Sequence, residues 1–186
     1  MPLIDSAVLK VGAGNYFTAP VGTALPTDLK NPDSDWVNMG HTSLEDILAF
    51  ESEGGEATVL GTLQARNLRT AYSARSETMS INIHQFDAAS LKLYYGSNMV
   101  DVAGDGSLLG VPQDPQPTEA AFLAVYLDGA NVFAYYAQRS EIFRGDDAEI
   151  TNTEELAALP LTITPLVHEG ADWAYAVTPL GTVSGS

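Results

Sequence analysis

Met79-Ser80-Ile81-Asn82-Ile83-His84 is the stretch that decides the fold class. Apolar side chains at 79, 81 and 83 alternate with polar ones at 80, 82 and 84, and successive side chains of a strand point to opposite faces. Such a segment turns one face to a core and the other to water or a neighbour.

The same two-residue period recurs outward from it, in short runs bounded by Gly, Pro, Asn and Asp. Phe122–Leu127 and Val132–Ala137 predict a hairpin around Asp128-Gly129-Ala130-Asn131, and Asp-Gly is a strong turn signal. Arg139–Thr151 continues as strand with an acidic Gly145-Asp146-Asp147 turn. Leu161–Val167 and Trp173–Val177 close the sheet, with Glu154–Leu159 read as a helical turn between them. Toward the N-terminus, Ala7–Val11 and Asn15–Ala19 read as two strands around a Gly12-Ala13-Gly14 turn. Trp36–Gly40 reads as a strand anchored by Trp36, in the core or at an interface. Leu44–Glu56 leads to Gly54-Gly55, read as a hairpin turn into Glu56–Leu63.

One helix is predicted, of about two to three turns. Asp87 caps it, Ala88, Leu91, Tyr94 and Tyr95 share a face, and Gly96 stands where a left-handed C-cap is wanted. Pro20–Asp35 and Val100–Thr118 are rich in Pro, Gly and Asp and read as long loops, the first as an extended arm. The outline is a mainly β chain, a β-sandwich or partial barrel with one short helix and long loops available for inter-subunit contact. Residues 1–186 read as a single domain, with 20–35 as the arm and 182–186 as a flexible tail.

Composition narrows the function. The chain has 24 acids against eight Lys and Arg, a net charge of −16. Nucleic-acid binders need a basic patch that displaces phosphate counterions, so sustained DNA binding is not expected. A negative surface instead repels a polyanion, although solubility alone would also account for the charge. With no cysteine, disulfides, zinc–thiolate sites and thiol nucleophiles are all excluded. No apolar run approaches the roughly 20 residues that span a bilayer, so no membrane partner is expected. Met1–Lys10 has an early acid and no basic cluster, unlike a signal peptide.

Catalytic patterns are missing. His41, His84 and His168 are far apart and show no metal-ligand spacing, so isolated surface or core roles fit them better. Gly12-Ala13-Gly14 has Phe17 at the third glycine position of a dinucleotide loop. Asp101 and Asp105 begin like a calcium loop, but the twelfth position is Pro112 rather than Glu. Gly-x-Ser-x-Gly and P-loop signatures are absent. Neither catalysis nor a cofactor is expected.

Charge pattern says more than any motif. Glu45, Asp46, Glu51, Glu53 and Glu56 form an acidic block without a base, and Ala57–Ser76 carries Arg66, Arg69 and Arg75 without an acid. Adjacent blocks of opposite sign suit a heterologous contact, in which each copy offers both halves. Pairing inside one chain, or plain solvation, would give the same pattern. A second acidic group comprises Glu141, Asp146, Asp147, Glu149, Glu154 and Glu155, with only Arg139 and Arg144 nearby.

The order and spacing of these segments resemble the major tail-tube proteins of long-tailed phages with non-contractile tails, especially phages of actinobacteria. The resemblance rests on Ala7-Val-Leu-Lys-Val-Gly through Tyr16-Phe-Thr-Ala-Pro and the Pro/Thr-rich arm after it. It continues in Trp36-Val-Asn-Met-Gly-His-Thr-Ser-Leu-Glu-Asp, Glu53-Gly-Gly-Glu-Ala-Thr-Val-Leu-Gly and Leu159-Pro-Leu-Thr-Ile-Thr-Pro-Leu. It implies a non-enzymatic virion subunit whose strands complete a β-barrel in a hexameric ring. The rings would stack into a tube that passes DNA without binding it. A tape measure protein would occupy the lumen, with tail terminator and tail-tip proteins at the ends. Long loops would reach the next ring, with Arg66, Arg69 and Arg75 against Glu51, Glu53 and Glu56, and Trp36 as a further contact. The competing expectation is a β-sandwich adhesin or carbohydrate-binding module, which needs an exposed aromatic platform at Trp36 or Trp173. A contractile-tail tube protein shares the first outline.

Overall fold

A computed structural model of the chain describes residues 3–148, 150 and 153–182. Glu149, Thr151 and residues 183–186 of the expected tail lie outside the described residues. The first strands are β1 (Ala13–Ala19), β2 (Val37–Asn38), β3 (Ala49–Gly54), β4 (Ala57–Leu60), β5 (Arg69–Tyr72) and β6 (Arg75–Ile83). Helix α1 (Ala88–Tyr95) and the small pair β7 (Val100–Asp101) and β8 (Leu109–Gly110) follow. The last are β9 (Thr118–Asp128), β10 (Asn131–Arg144), β11 (Leu159–Leu166), β12 (Ala176–Val177) and β13 (Gly181–Thr182).

The mainly β expectation is borne out. The principal sheet is antiparallel, ordered β2-β1-β9-β10-β11-β6-β3, with β12 and β13 paired to the first half of β10 and β11 to its second half. Its ends, β2 and β3, do not meet, so the sheet is open in the single chain. The predicted β9–β10 hairpin is present, with Asn131 opposite Asp128 and positive φ at Gly129 alone, as a type II′ turn needs at its first central residue.

Ala120–Tyr126 of β9 are all buried, because both faces of this central strand are covered. On one face Tyr16, Phe122 and Tyr126 pack with Met79, Ile81 and Ile83 of β6, Leu161 and Ile163 of β11, and Tyr94 of α1. On the other, Phe17, Leu123, Val125 and Tyr136 pack with Leu29 and Trp36. Met79, Ile81 and Ile83 thus face inward and Ser80, Asn82 and His84 are half-buried on the opposite side, as their alternation requires.

A bulge in β10 adjusts the packing. Ala137 opposes Phe122 while Ser140 opposes Ala120, so β10 carries one extra residue there. Before the bulge Phe133, Tyr135 and Ala137 face the first core; beyond it Ile142 does, with reversed parity. Ser140 is buried at the bulge and donates its hydroxyl to the Ala120 carbonyl at 2.8 Å.

Several expected elements differ. Ala7–Val11 is not a strand: Asp5–Ala7 forms a 3-10 turn, β9 takes one edge of β1, and residues 37–39 take the other alongside Tyr16–Thr18. Gly12-Ala13-Gly14 is therefore no turn but the start of β1, and Gly12 donates to the Leu127 carbonyl at 2.9 Å. Residues 20–35 form no helix or strand and lie across their own sheet. Tyr136 donates to the Thr23 carbonyl at 2.6 Å and the Gly22 amide to that of Gln138. Glu154–Ala158 bends without helical pairing, and only Ala176–Val177 of the Trp173–Val177 run is paired.

Helix α1 is where the pattern placed it. The Asp87 carboxylate accepts from the Ser90 amide at 2.8 Å, and Gly96 has φ of 115° with its amide donating to the Lys92 carbonyl. Ser90 and Tyr94 are the buried residues; Ala88, expected on that face, is exposed. The Ser90 hydrogen bond holds the Asp87 carboxyl below its usual range. A depressed value contributes stability above the unfolded pKa of about 4, and that contribution is lost as pH falls through the folded value. Asp87→Ala is expected to lose about 1 kcal/mol at neutral pH by urea denaturation, with the gap to wild type closing in acid.

Candidate self-assembly interface

Ala49–Arg75 forms a bent, two-stranded arm. β3 pairs with β6 from Ala49↔Ser80 to Gly54↔Arg75, and β4 pairs with β5 from Ala57↔Tyr72 to Leu60↔Arg69. Glu56 and Ser73 join the two ladders: each amide donates to the other residue, at 3.0 Å. Gly54-Gly55 is therefore a kink, not the expected hairpin turn into Glu56–Leu63. Both flanking segments remain paired to the same opposing stretch, so the chain bends there without reversing. Gly54 is required: its φ is 81°, and a Cβ would lie 2.0 Å from the Ala74 carbonyl oxygen. Reversal occurs at residues 61–68, where Thr62 and Ala65 exchange backbone hydrogen bonds and the Leu68 amide donates to the Leu60 carbonyl.

Every residue from 49 to 76 is exposed except Ala65, which is half-buried. Val59, Leu60, Leu68 and Tyr72 project from the arm, and Leu63 at its tip is 98% exposed. An isolated two-stranded hairpin is marginal in water, and unpaired strand edges invite another chain.

The predicted contact residues fall on this arm, apart from Trp36. Glu51 and Glu53 alternate with Phe50 and Ser52 along β3, Glu56 sits at the kink, and Arg66 and Arg69 lie at the tip. Arg75 is engaged at the root, donating to Ser52 Oγ at 2.6 Å and pairing with Glu77 at 2.9 Å. Among the described residues Arg66 and Arg69 make no ion pair. Beside the root, Phe50 packs on Tyr135 and Tyr175 with ring centroids 4.8 and 6.3 Å apart. Tyr175 donates to Glu77, and that carboxylate raises its pKa. Trp36 is elsewhere, buried in the second core against Tyr136. The exposed leucines of the tip were missed because the glycine pair was read as the end of the hairpin.

The other candidate groups are held in local structure. His84 Nδ1 lies 2.9 Å from the Ala157 carbonyl. Asp101 accepts from the Gly104 and Gly106 amides, a turn closed by its own carboxylate. Trp173 is partly exposed and leans on Tyr136, while Trp36 is buried, so the two do not form an aromatic platform.

The sheet is open and bears a projecting arm, and residues 1–179 match the model for phage tail tube protein. The chain belongs to the phage tail tube protein family. This tail tube protein is 35% identical over 178 residues to the major tail protein Gp23 of Mycobacterium phage L5, covering 89% of this chain and 87% of that relative. Gp23 of Mycobacterium phage D29 matches at the same identity and coverage. The resemblance read from the sequence is borne out, and the protein is a structural component of the virion tail. No helix among the described residues is long and apolar enough to cross a membrane.

Proposed function

We propose that copies of this tail tube protein form hexameric rings that stack into the tube through which DNA leaves the virion. The supporting observation is the arm, an exposed hairpin with an apolar tip that its own chain leaves uncovered. Pairing between the free β2 and β3 edges of neighbouring copies would close the open sheets into a barrel, removing edges that would otherwise aggregate. The arm, with Arg66, Arg69 and Arg75 and the acids Glu51, Glu53 and Glu56, carries the contact between copies. Residues 1–186 act as one tail-tube domain. Net charge of −16 would line the bore with acids, so DNA slides by repulsion. The tape measure protein fills the lumen during assembly, and tail terminator and tail-tip proteins close the ends. Neither catalysis nor a cofactor enters this role.

Negative-stain electron microscopy of the purified protein tests this. Rings or tubes are expected; single compact particles at high concentration under all assembly conditions would sink it. Arg66→Glu with Arg69→Glu should lower tube yield about tenfold or more, since a like charge in a contact costs several kcal/mol. Circular dichroism should show the fold unchanged, because both side chains are exposed.

A further inference from the structure

We propose that the arm tip of one copy seats in an apolar groove between helix α1 and the β7–β8 hairpin of a second copy. This rests on the self-assembly reading above and names the surface that receives the arm. The groove, about 420 Å³, is lined chiefly by Phe86, Leu91, Tyr95, Met99, Leu108 and Val111. Phe86, Leu108 and Val111 are exposed although large and apolar. Asp87, Asp101 and Asp105 adjoin its lining residues in the chain, while Lys92 lies on α1 and Arg144 acts on Tyr94 from the helix's buried side. Hydrogen bonds from Ser90 and Ser107 hold Asp87 and Asp105 below the usual carboxylate range, so both stay charged.

The tip matches this surface in both respects. Leu60, Leu63 and Leu68 supply apolar side chains, and Arg66 and Arg69, without an ion pair among the described residues, supply positive charge beside them. The arm root lies at the Arg75 end of β6, and Phe86 follows the Ile83 end, on the order of 25 Å away along the strand. The arm extends beyond the Arg75 end, so it does not reach the groove of its own chain. Each copy therefore offers a plug at one end of β6 and a socket at the other. Such a contact is heterologous and does not stop at a dimer. It makes Asp87, Asp101 and Asp105, rather than Glu51, Glu53 and Glu56, the acids facing the tip.

A rival socket exists at the arm root, a groove of about 360 Å³ lined by Phe50, Tyr135, Tyr175 and Val177. The absence of cysteine makes the choice testable. Full-length protein carrying Leu63→Cys and Leu108→Cys is allowed to assemble and oxidised mildly with copper phenanthroline. A non-reducing gel should show a ladder of covalent oligomers, whereas either single variant stops at dimers. Leu63→Cys with Val177→Cys should give no ladder. All three positions are exposed, and circular dichroism checks that each variant folds. Tubes that form without the 63–108 ladder, or with a 63–177 ladder instead, overturn this inference and leave the self-assembly reading intact. Wild-type protein that stays monomeric under the same conditions overturns both.

Discussion

Replacing residues 61–68 by an Asn-Gly turn is expected to leave a folded, soluble protein that no longer forms tubes. Leu60 and Arg69 already oppose each other in the β4–β5 ladder, so a two-residue turn closes the shortened hairpin without strain. The backbone hydrogen bonds lost are those between Thr62 and Ala65, internal to the removed loop, and that from Leu68 to the Leu60 carbonyl, which the new turn replaces. Neither core contains a residue of this segment, so no cavity is created. Shortening a loop also lowers the entropy lost on folding, by only a few tenths of a kcal/mol to about 1 kcal/mol. Thermal denaturation should therefore show a melting temperature at or slightly above wild type. Electron microscopy of the same sample should show particles without tubes. Tubes of normal yield would mean that the arm tip carries no essential contact.

Phe122→Ala should act in the opposite manner, on the fold rather than on assembly. Phe122 is fully buried on central strand β9, stacked on Tyr16 with centroids 6.3 Å apart. Its face packs against β6, β11 and α1 together, so a truncated side chain leaves a hole that several elements cannot close at once. Such Phe→Ala changes cost about 3–5 kcal/mol, a large share of the roughly 5–15 kcal/mol that holds a domain folded. Urea denaturation should show the unfolding free energy lowered by that amount, with the midpoint moved to lower urea at unchanged slope. Loss of tubes in this variant would accompany loss of monomer stability, which separates it from the arm deletion.

How far the fold was legible depends on how local its causes are. Met79–Ile83, the β9–β10 hairpin and helix α1 were readable because alternation, an Asp-Gly turn and an Asp87 cap act over a few residues. Ala7–Val11 and Glu154–Leu159 were misread because a strand exists only if a partner edge is free, and a short helical turn only if something covers it. The bulge at residues 137–140 left no readable mark, since its cause is the packing of Ile142 and Ser140 against strands distant in sequence.

The candidate interface divides in the same way. The acidic and basic blocks between Glu45 and Ser76 were visible as charge pattern, as was the absence of catalytic spacing. Gly54-Gly55 was visible as a break but not as a kink, because whether two glycines bend or reverse a chain depends on which strand lies opposite.

Short-range chemistry thus determined from the sequence alone that this is a mainly β, cysteine-free, strongly acidic chain, and its segments also resemble those of tail tube proteins. Tertiary structure decided that β3–β6 and β4–β5 continue into one exposed arm, that Trp36 is core, and that Arg75 is already paired. The reason is that strand pairing and burial are properties of distant segments brought together, and neither is encoded in any window of a few residues.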